Sequence, residues 1–353
     1  MKTNNHKKKS IYLKYSKSSD FYISTKKNFF SQNANLLSRT LKQNELYKKQ
    51  PRRMLCKICG SKLQGNIDFQ SHNIEYIFCN ECTHLNGIYE DTKEFVETVY
   101  LDDDGSDYSQ NYIDVDFTRR SKDIYSPKID FLSESLIEEK IDILDIGCGM
   151  GYLVHAGLAK NLEIKGVDVN RAMIDAGNNQ IEKSLDKRPL KFVKEEAFYD
   201  LIIDTNSPII SAIGVIEHLR EPHKFFDAFK KSNAKYLYYS VPMFSFTVIM
   251  QTIFQDIFPR HLPGEHTHLY TEKSLKKMHE ILESEVVSQW RFGVDAMDLY
   301  RSAKIKLEEN NVSSKITDYF EKGFGKKIDE FQNIFDKNHF CSEIHCVLKK
   351  ISN

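Results

Sequence analysis

The chain reads as an α/β protein with a doubly wound, mostly parallel sheet, a small cysteine-paired segment ahead of it, and a helical insertion before the last strand. Three observations predict this. From Ile141 onward, strand-like apolar runs alternate with helix-length stretches, as in strands joined by crossover helices. One of those strands runs directly into a glycine-rich turn, "ILDIGCGMGYL", Ile143 to Leu153. The following strand ends in an acid, Asp168, 19 residues after Gly149.

Composition sets the outer limits. Hydrophobic residues at 41% and charged residues at 28% of 353 fit a globular protein with a large core. The formal net charge is zero but unevenly placed, with 14 basic side chains against Asp20 and Glu45 in residues 1–53. This basic leader is expected to be a flexible, solvated tail; contact with nucleic acid or an anionic surface is the alternative. It lacks the apolar core of a secretory signal. No run approaches the ~18 apolar residues of a membrane span. The longest apolar stretch, Val241 to Phe258, is broken by Pro242, Gln251 and Asp256. The expected location is cytoplasmic, so the seven cysteines are expected as thiols or metal ligands rather than disulfides.

Residues 54–90 hold the paired cysteines. Cys56-x-x-Cys59 and Cys79-x-x-Cys82 are separated by 19 residues, which fits a four-cysteine zinc pattern. Each pair can bring two thiolates to one tetrahedral ion, and four thiolates close the shell, so the expected role is structural. His84 lies nearby but is not needed as a ligand. Residues 91–140 form an aromatic, partly helical linker that includes the acidic stretch Tyr100 to Arg120. The sheet domain then occupies 141–353. Its expected strands are Ile141–Ile146, Glu163–Val167, Leu190–Val193, Ile209–Ile213, Tyr236–Val241, Val286–Phe292 and Ser342–Lys350. Expected helices are Tyr152–Lys160, Arg171–Lys183 and His223–Ser232. A second strand-like run, Leu201–Ile203, makes the spacing after the third strand irregular. The insertion, about 295–338, is polar and helical, and reads as a lid or a homodimer contact.

The glycine loop specifies the ligand more closely. A dinucleotide loop of the form G-x-G-x-x-G would need glycine at position 152, where this chain has Tyr152. Here the order is G-x-G-x-G, with Asp145 two residues ahead of Gly147. An acid there repels a pyrophosphate and suits a cationic amine, so the loop favours an amino-acid-bearing nucleoside. Asp168 is placed to accept from ribose hydroxyls. Glu195, or its neighbour Glu196, is the candidate for an adenine amino group.

"ILDIGCGMG" followed by "GVDVN" resembles the Rossmann-like, class I S-adenosylmethionine-dependent methyltransferases, over roughly Ile141 to Lys350. The resemblance implies that Asp145, Gly147, Cys148, Gly149 and Gly151 hold the methionine part of S-adenosylmethionine and that Asp168 holds its ribose. "AIGVIEHLREPHKFF" is similar to the family's fourth-strand motif, which places Gly214 and Val215 beside the sulfonium. "GEHTHLYTEKSLKKM" resembles a turn-and-helix segment near the substrate pocket of small-molecule members. A zinc ribbon, a linker and then this core resemble, in layout, bacterial methyltransferases of sugar and surface-polysaccharide pathways.

An alcohol acceptor must also lose a proton, and histidine is the usual base. His218, His266 and His268 are the candidates. A spacing of two puts His266 and His268 on one side of an extended chain, where they flank an acceptor or hold a metal with Glu265 or Glu217. Hydrogen bonding within the turn is the alternative for each. Tyr108 and Tyr112 are candidates to close over the ligands, and Arg119, Arg120 and Arg260 to meet a substrate diphosphate. The reading preferred from sequence is O-methylation of a small, sugar-containing metabolite, with no nucleic acid partner. The alternatives are an RNA or protein methyltransferase that grips a polymer with leader and ribbon, and a non-catalytic cofactor-binding scaffold.

Overall fold

The computed structural model describes residues 11–19, 28–100, 116–137, 139–264 and 266–351. The strands are β1 (Tyr12–Tyr15), β2 (Phe69–Ser71), β3 (Ile74–Phe78), β4 (Leu85–Gly87), β5 (Asp142–Ile146) and β6 (Glu163–Asp168). They continue with β7 (Leu190–Phe192), β8 (Ile209–Ile213), β9 (Tyr236–Pro242), β10 (His268–Leu269), β11 (Ser284–Phe292) and β12 (Glu343–Lys350). An eight-stranded sheet runs in the order β1-β11-β12-β9-β8-β5-β6-β7. Strands β9, β8, β5, β6 and β7 are parallel, and β12 lies antiparallel to both β9 and β11. This is the doubly wound, mostly parallel sheet expected from the sequence, with the chain order reversing around β5. In such sheets the ligand crevice opens at the carboxyl ends of the strands beside that reversal.

Burial explains why β5 is central. Leu144 and Ile146 face a layer that includes Phe225, Phe229 and Met278. Ile143 faces the other layer, with Leu153, Ile174 and Ile129. A parallel strand covered on both faces needs such an unbroken apolar run. The insertion is helical as expected, in three segments: Asp295–Glu309, Ser314–Gly323 and Ile328–Lys337.

Three features differ from the sequence reading. Leu201–Ile203 is not a strand but the end of the helix Glu195–Ile203, which buries Phe198 and Ile202 one turn apart. A three-residue apolar run carries no period of its own; Glu195 and Glu196 in the first turn favour a helix start. The described part of the leader is built into the fold rather than free. Strand β1 pairs in parallel with β11, and the helix Asn33–Tyr47 buries Thr40, Asn44 and Tyr47. Net charge does not register a backbone pairing with an open sheet edge. Finally, the ribbon segment shares its sheet with the main domain: β2, β3 and β4 continue into β10, in the order β10-β4-β3-β2.

Candidate active site

A cavity of about 620 Å³ opens at the carboxyl ends of β5, β6 and β8, within the usual range for small-molecule sites. Of the residues expected at a cofactor, Asp145, Gly147, Cys148, Gly149, Asp168, Glu195, Gly214 and Val215 all line it. Gly151 does not. It has φ +74°, and a Cβ there would lie 2.7 Å from the Leu190 side chain, so this glycine serves helix-to-sheet packing. Gly147, with φ +61°, would drive a Cβ to 2.7 Å from Val215, which keeps the loop close to the turn after β8. The helix Lys93–Tyr100, from the linker, contributes Lys93, Val96 and Glu97 to the cavity lining. The candidates Tyr108, Tyr112 and Glu265 lie outside the described residues.

The two acids at the carboxyl ends of β5 and β6 are held differently. Asp168 accepts from the Gly149 and Asn170 backbone N–H groups, both at 2.8 Å. Burial raises its carboxyl, against the pull of those donors. Asp145 is 3% exposed and accepts from the Ser211 hydroxyl at 2.6 Å. Burial pushes it up to about 7, eased by Ser211 and reinforced by the Asp168 charge. Ser211 was missed from sequence. Its signal was available: one hydroxyl inside the apolar strand Ile209–Ile213, opposite Asp145 in register. The Cys148 thiol is raised by burial, then by the Asp168 charge, which makes it no nucleophile.

The histidines separate. His218 lines the cavity from the turn Ile216–His218. His266 packs beside it, with ring centroids 5.1 Å apart. Potential ligand atoms of Glu217, His218 and His266 all lie within 4.8 Å of one another. Burial holds both imidazoles down, His266 to about 4, and raises Glu217 to about 8. His268 points elsewhere. Its Nδ1 lies 2.8 Å from His84 Nε2, and its Nε2–H donates to the Glu217 carbonyl at 2.9 Å. With 0% exposure and both nitrogens engaged, it is placed as a bridge, not as a base. Spacing alone misjudged the pair because only His268 lies in a strand, at the start of β10. His84, set aside in the sequence reading, is the other half of that bridge. Arg260 pairs with buried Asp298 at 2.8 Å, while Arg120 and Lys128 stand over the rings of Tyr152 and Tyr125, which line the cavity.

The four cysteines converge as expected. Cys56 and Cys82 sulfurs are 3.6 Å apart and those of Cys59 and Cys79 are 3.5 Å apart, with all four within 4.8 Å. Those separations fit the edges of a tetrahedron with Zn–S bonds of about 2.3 Å. Both knuckles have the same backbone: Gly60 N–H donates to the Cys56 carbonyl and Thr83 N–H to the Cys79 carbonyl, and both Gly60 and Thr83 have positive φ. The Asn86 amide points at the Cys56 sulfur from 3.8 Å.

With this geometry in view, residues 117–289 match the family model described as a methyltransferase domain. Fold, loop and match define the class as S-adenosylmethionine-dependent methyltransferase. No curated protein sequence matches the chain. Among solved structures, magnesium protoporphyrin IX methyltransferase from Synechocystis PCC 6803, with bound SAH, is similar at 11% identity and TM-score 0.46, covering 74% of this chain and all (100%) of that one. A SAM-dependent methyltransferase from Archaeoglobus fulgidus is similar at 17% identity and TM-score 0.40, covering 67% and 100%. Geranyl diphosphate C-methyltransferase from Streptomyces coelicolor A3(2) is similar at 11% and 0.40, covering 64% and 79%. Among the described residues no helix is long and apolar enough to cross a membrane.

Proposed function

We propose that the protein transfers a methyl group from S-adenosylmethionine to a hydroxyl of a small, sugar-containing metabolite, with a phosphate or diphosphate attached. One observation carries this reading: the cavity lined by the glycine loop and Asp168 is also lined by His218, one member of the Glu217–His218–His266 cluster. S-adenosylmethionine supplies the activated methyl group on its sulfonium. The chain's own residues bind, align and handle the proton. Asp168 holds the ribose and Asp145 the amine. Glu195, the first residue of its helix, takes the adenine edge. An acceptor hydroxyl lodged against His218 gives up its proton at the cluster. Arg120 and Lys128, over two aromatic rings of the cavity, supply positive charge for a phosphate.

The four thiolates hold a structural zinc ion that fixes 54–90 against the site. The test uses methyl-labelled S-adenosylmethionine with separate nucleotide-linked sugar, RNA and protein fractions. Label is expected in the nucleotide-linked sugars, with turnover falling roughly 100-fold in His218→Ala. Label only in RNA or protein would overturn the substrate assignment.

A further inference from the structure

We infer that Glu217, His218 and His266 form a divalent-cation site in the wall of the cofactor cavity, distinct from the four cysteines. The inference rests on the reading of this cluster as the place where the acceptor is activated. The potential donor atoms already lie within 4.8 Å of one another. Donors on an ion with bonds of about 2.1 Å stand roughly 3–3.5 Å apart, so a contraction on the order of 1 Å closes the shell.

Two further observations point to a ligand. Glu217 is 6% exposed, and its Oε2 has no hydrogen-bond partner among the described residues. A buried carboxylate oxygen left so is costly, and a cation satisfies it. The second is the orientation of His266. Its Nδ1 lies 3.0 Å from the His261 carbonyl, which can only accept. The proton of the neutral ring therefore sits on Nδ1, and Nε2 presents its lone pair. A ligating histidine is commonly fixed in this way, by donating its other nitrogen to a carbonyl.

The backbone of the other two ligands is also anchored. His268 donates to the Glu217 carbonyl at 2.9 Å, and the His218 N–H donates to the Val215 carbonyl at 2.9 Å. Two imidazoles and one carboxylate suit manganese, iron, cobalt or zinc rather than calcium. Three protein ligands leave positions open toward the cavity, which His218 lines. An acceptor hydroxyl entering an open position becomes more acidic, so its proton passes to water in the cavity and the ion does the work that a free imidazole base would otherwise do.

Equilibrium dialysis of the zinc-loaded full chain against Mn2+, Co2+ and Zn2+ in turn tests this, with S-adenosylhomocysteine binding measured on every variant. One ion per chain beyond the cysteine-bound zinc is expected. Glu217→Gln and His266→Ala should each weaken it at least ~10-fold, while the S-adenosylhomocysteine affinity of both variants stays near the wild-type value. His218→Asn serves as the alternative ligand variant where either of those loses S-adenosylhomocysteine binding. No second ion with any of the three metals, or an affinity unchanged in the ligand variants, overturns the site. Dialysis does not depend on turnover. An ion bound without methylation of any fraction would sink the proposed reaction alone, and methylation without an ion would sink this site alone.

Discussion

Burial lifts the Asp145 carboxyl to about 7, and this has two opposite consequences. In the unfolded chain the same group ionises near 3.8. Between those values the folded state binds the extra proton, so the Asp145 contribution to stability declines as pH rises through about 4 to 7 and levels off above. Asp145→Asn should therefore raise the melting temperature of the ligand-free protein by a few degrees at pH 8, and hardly at all near pH 4. Cofactor binding goes the other way, because the ionised carboxylate is what attracts an amine. S-adenosylhomocysteine affinity should fall about tenfold per unit below pH ~7, and Asp145→Asn should flatten that slope. A calorimetric titration series across pH reads both, and a flat wild-type profile would remove the amine assignment. Asp168→Ala should weaken the same ligand roughly 10–100-fold, the scale of losing hydrogen bonds to a charged acceptor. That these two acids line the cavity was legible in the sequence because each sits at a fixed offset from a glycine turn. Ser211 and the Glu217 environment were not, since they depend on which strand lies beside β5.

The paired cysteines were equally legible as an element, but their connection to the active site was not. Strand β4 pairs with β10 in antiparallel register, His268 opposite Asn86. The imidazoles of His84 and His268, 184 residues apart in sequence, then join the ribbon to the Glu217 carbonyl. No local pattern reports a contact of that separation. The cavity, too, takes one wall from the helix Lys93–Tyr100, which directly follows the ribbon. Removing the proposed zinc should therefore do more than loosen residues 54–90. Cys79→Ser with Cys82→Ser is expected to lower the melting temperature by roughly 5–10 °C and to reduce turnover more than cofactor affinity. His84→Ala tests the link without touching a thiolate. It should cut kcat about tenfold with zinc content unchanged; a normal kcat would show that the bridge holds the fold and nothing more.

Across the whole molecule, the sheet is closed on its far edge by the leader, where charge counting placed a free tail. The helices and parallel strands of 141–353 follow from periodicity within each segment, but β1 follows only from what β11 lacks. Four residues of β1 align with Ser288 to Arg291, and the Ser16 N–H extends the ladder to the Arg291 carbonyl at 2.9 Å. The Trp290 indole donates to the Ser16 carbonyl at 3.0 Å, with Lys14 standing 5.0 Å from its ring centroid. The strap then ties to the insertion, through Ser16 to Asn333 and Ser19 to Asp329. Deleting residues 1–19 removes all of this. At about 1 kcal/mol net for each hydrogen bond, and allowing for a chain of this size, the melting temperature should fall by roughly 3–6 °C. A solvated tail predicts no change. The protein supplies its own reporter, because Trp290 is its one tryptophan and is 2% exposed. In the truncated protein its emission should shift to the red as water reaches the indole. If both the melting temperature and the emission were unchanged, the leader would not hold the sheet edge in solution.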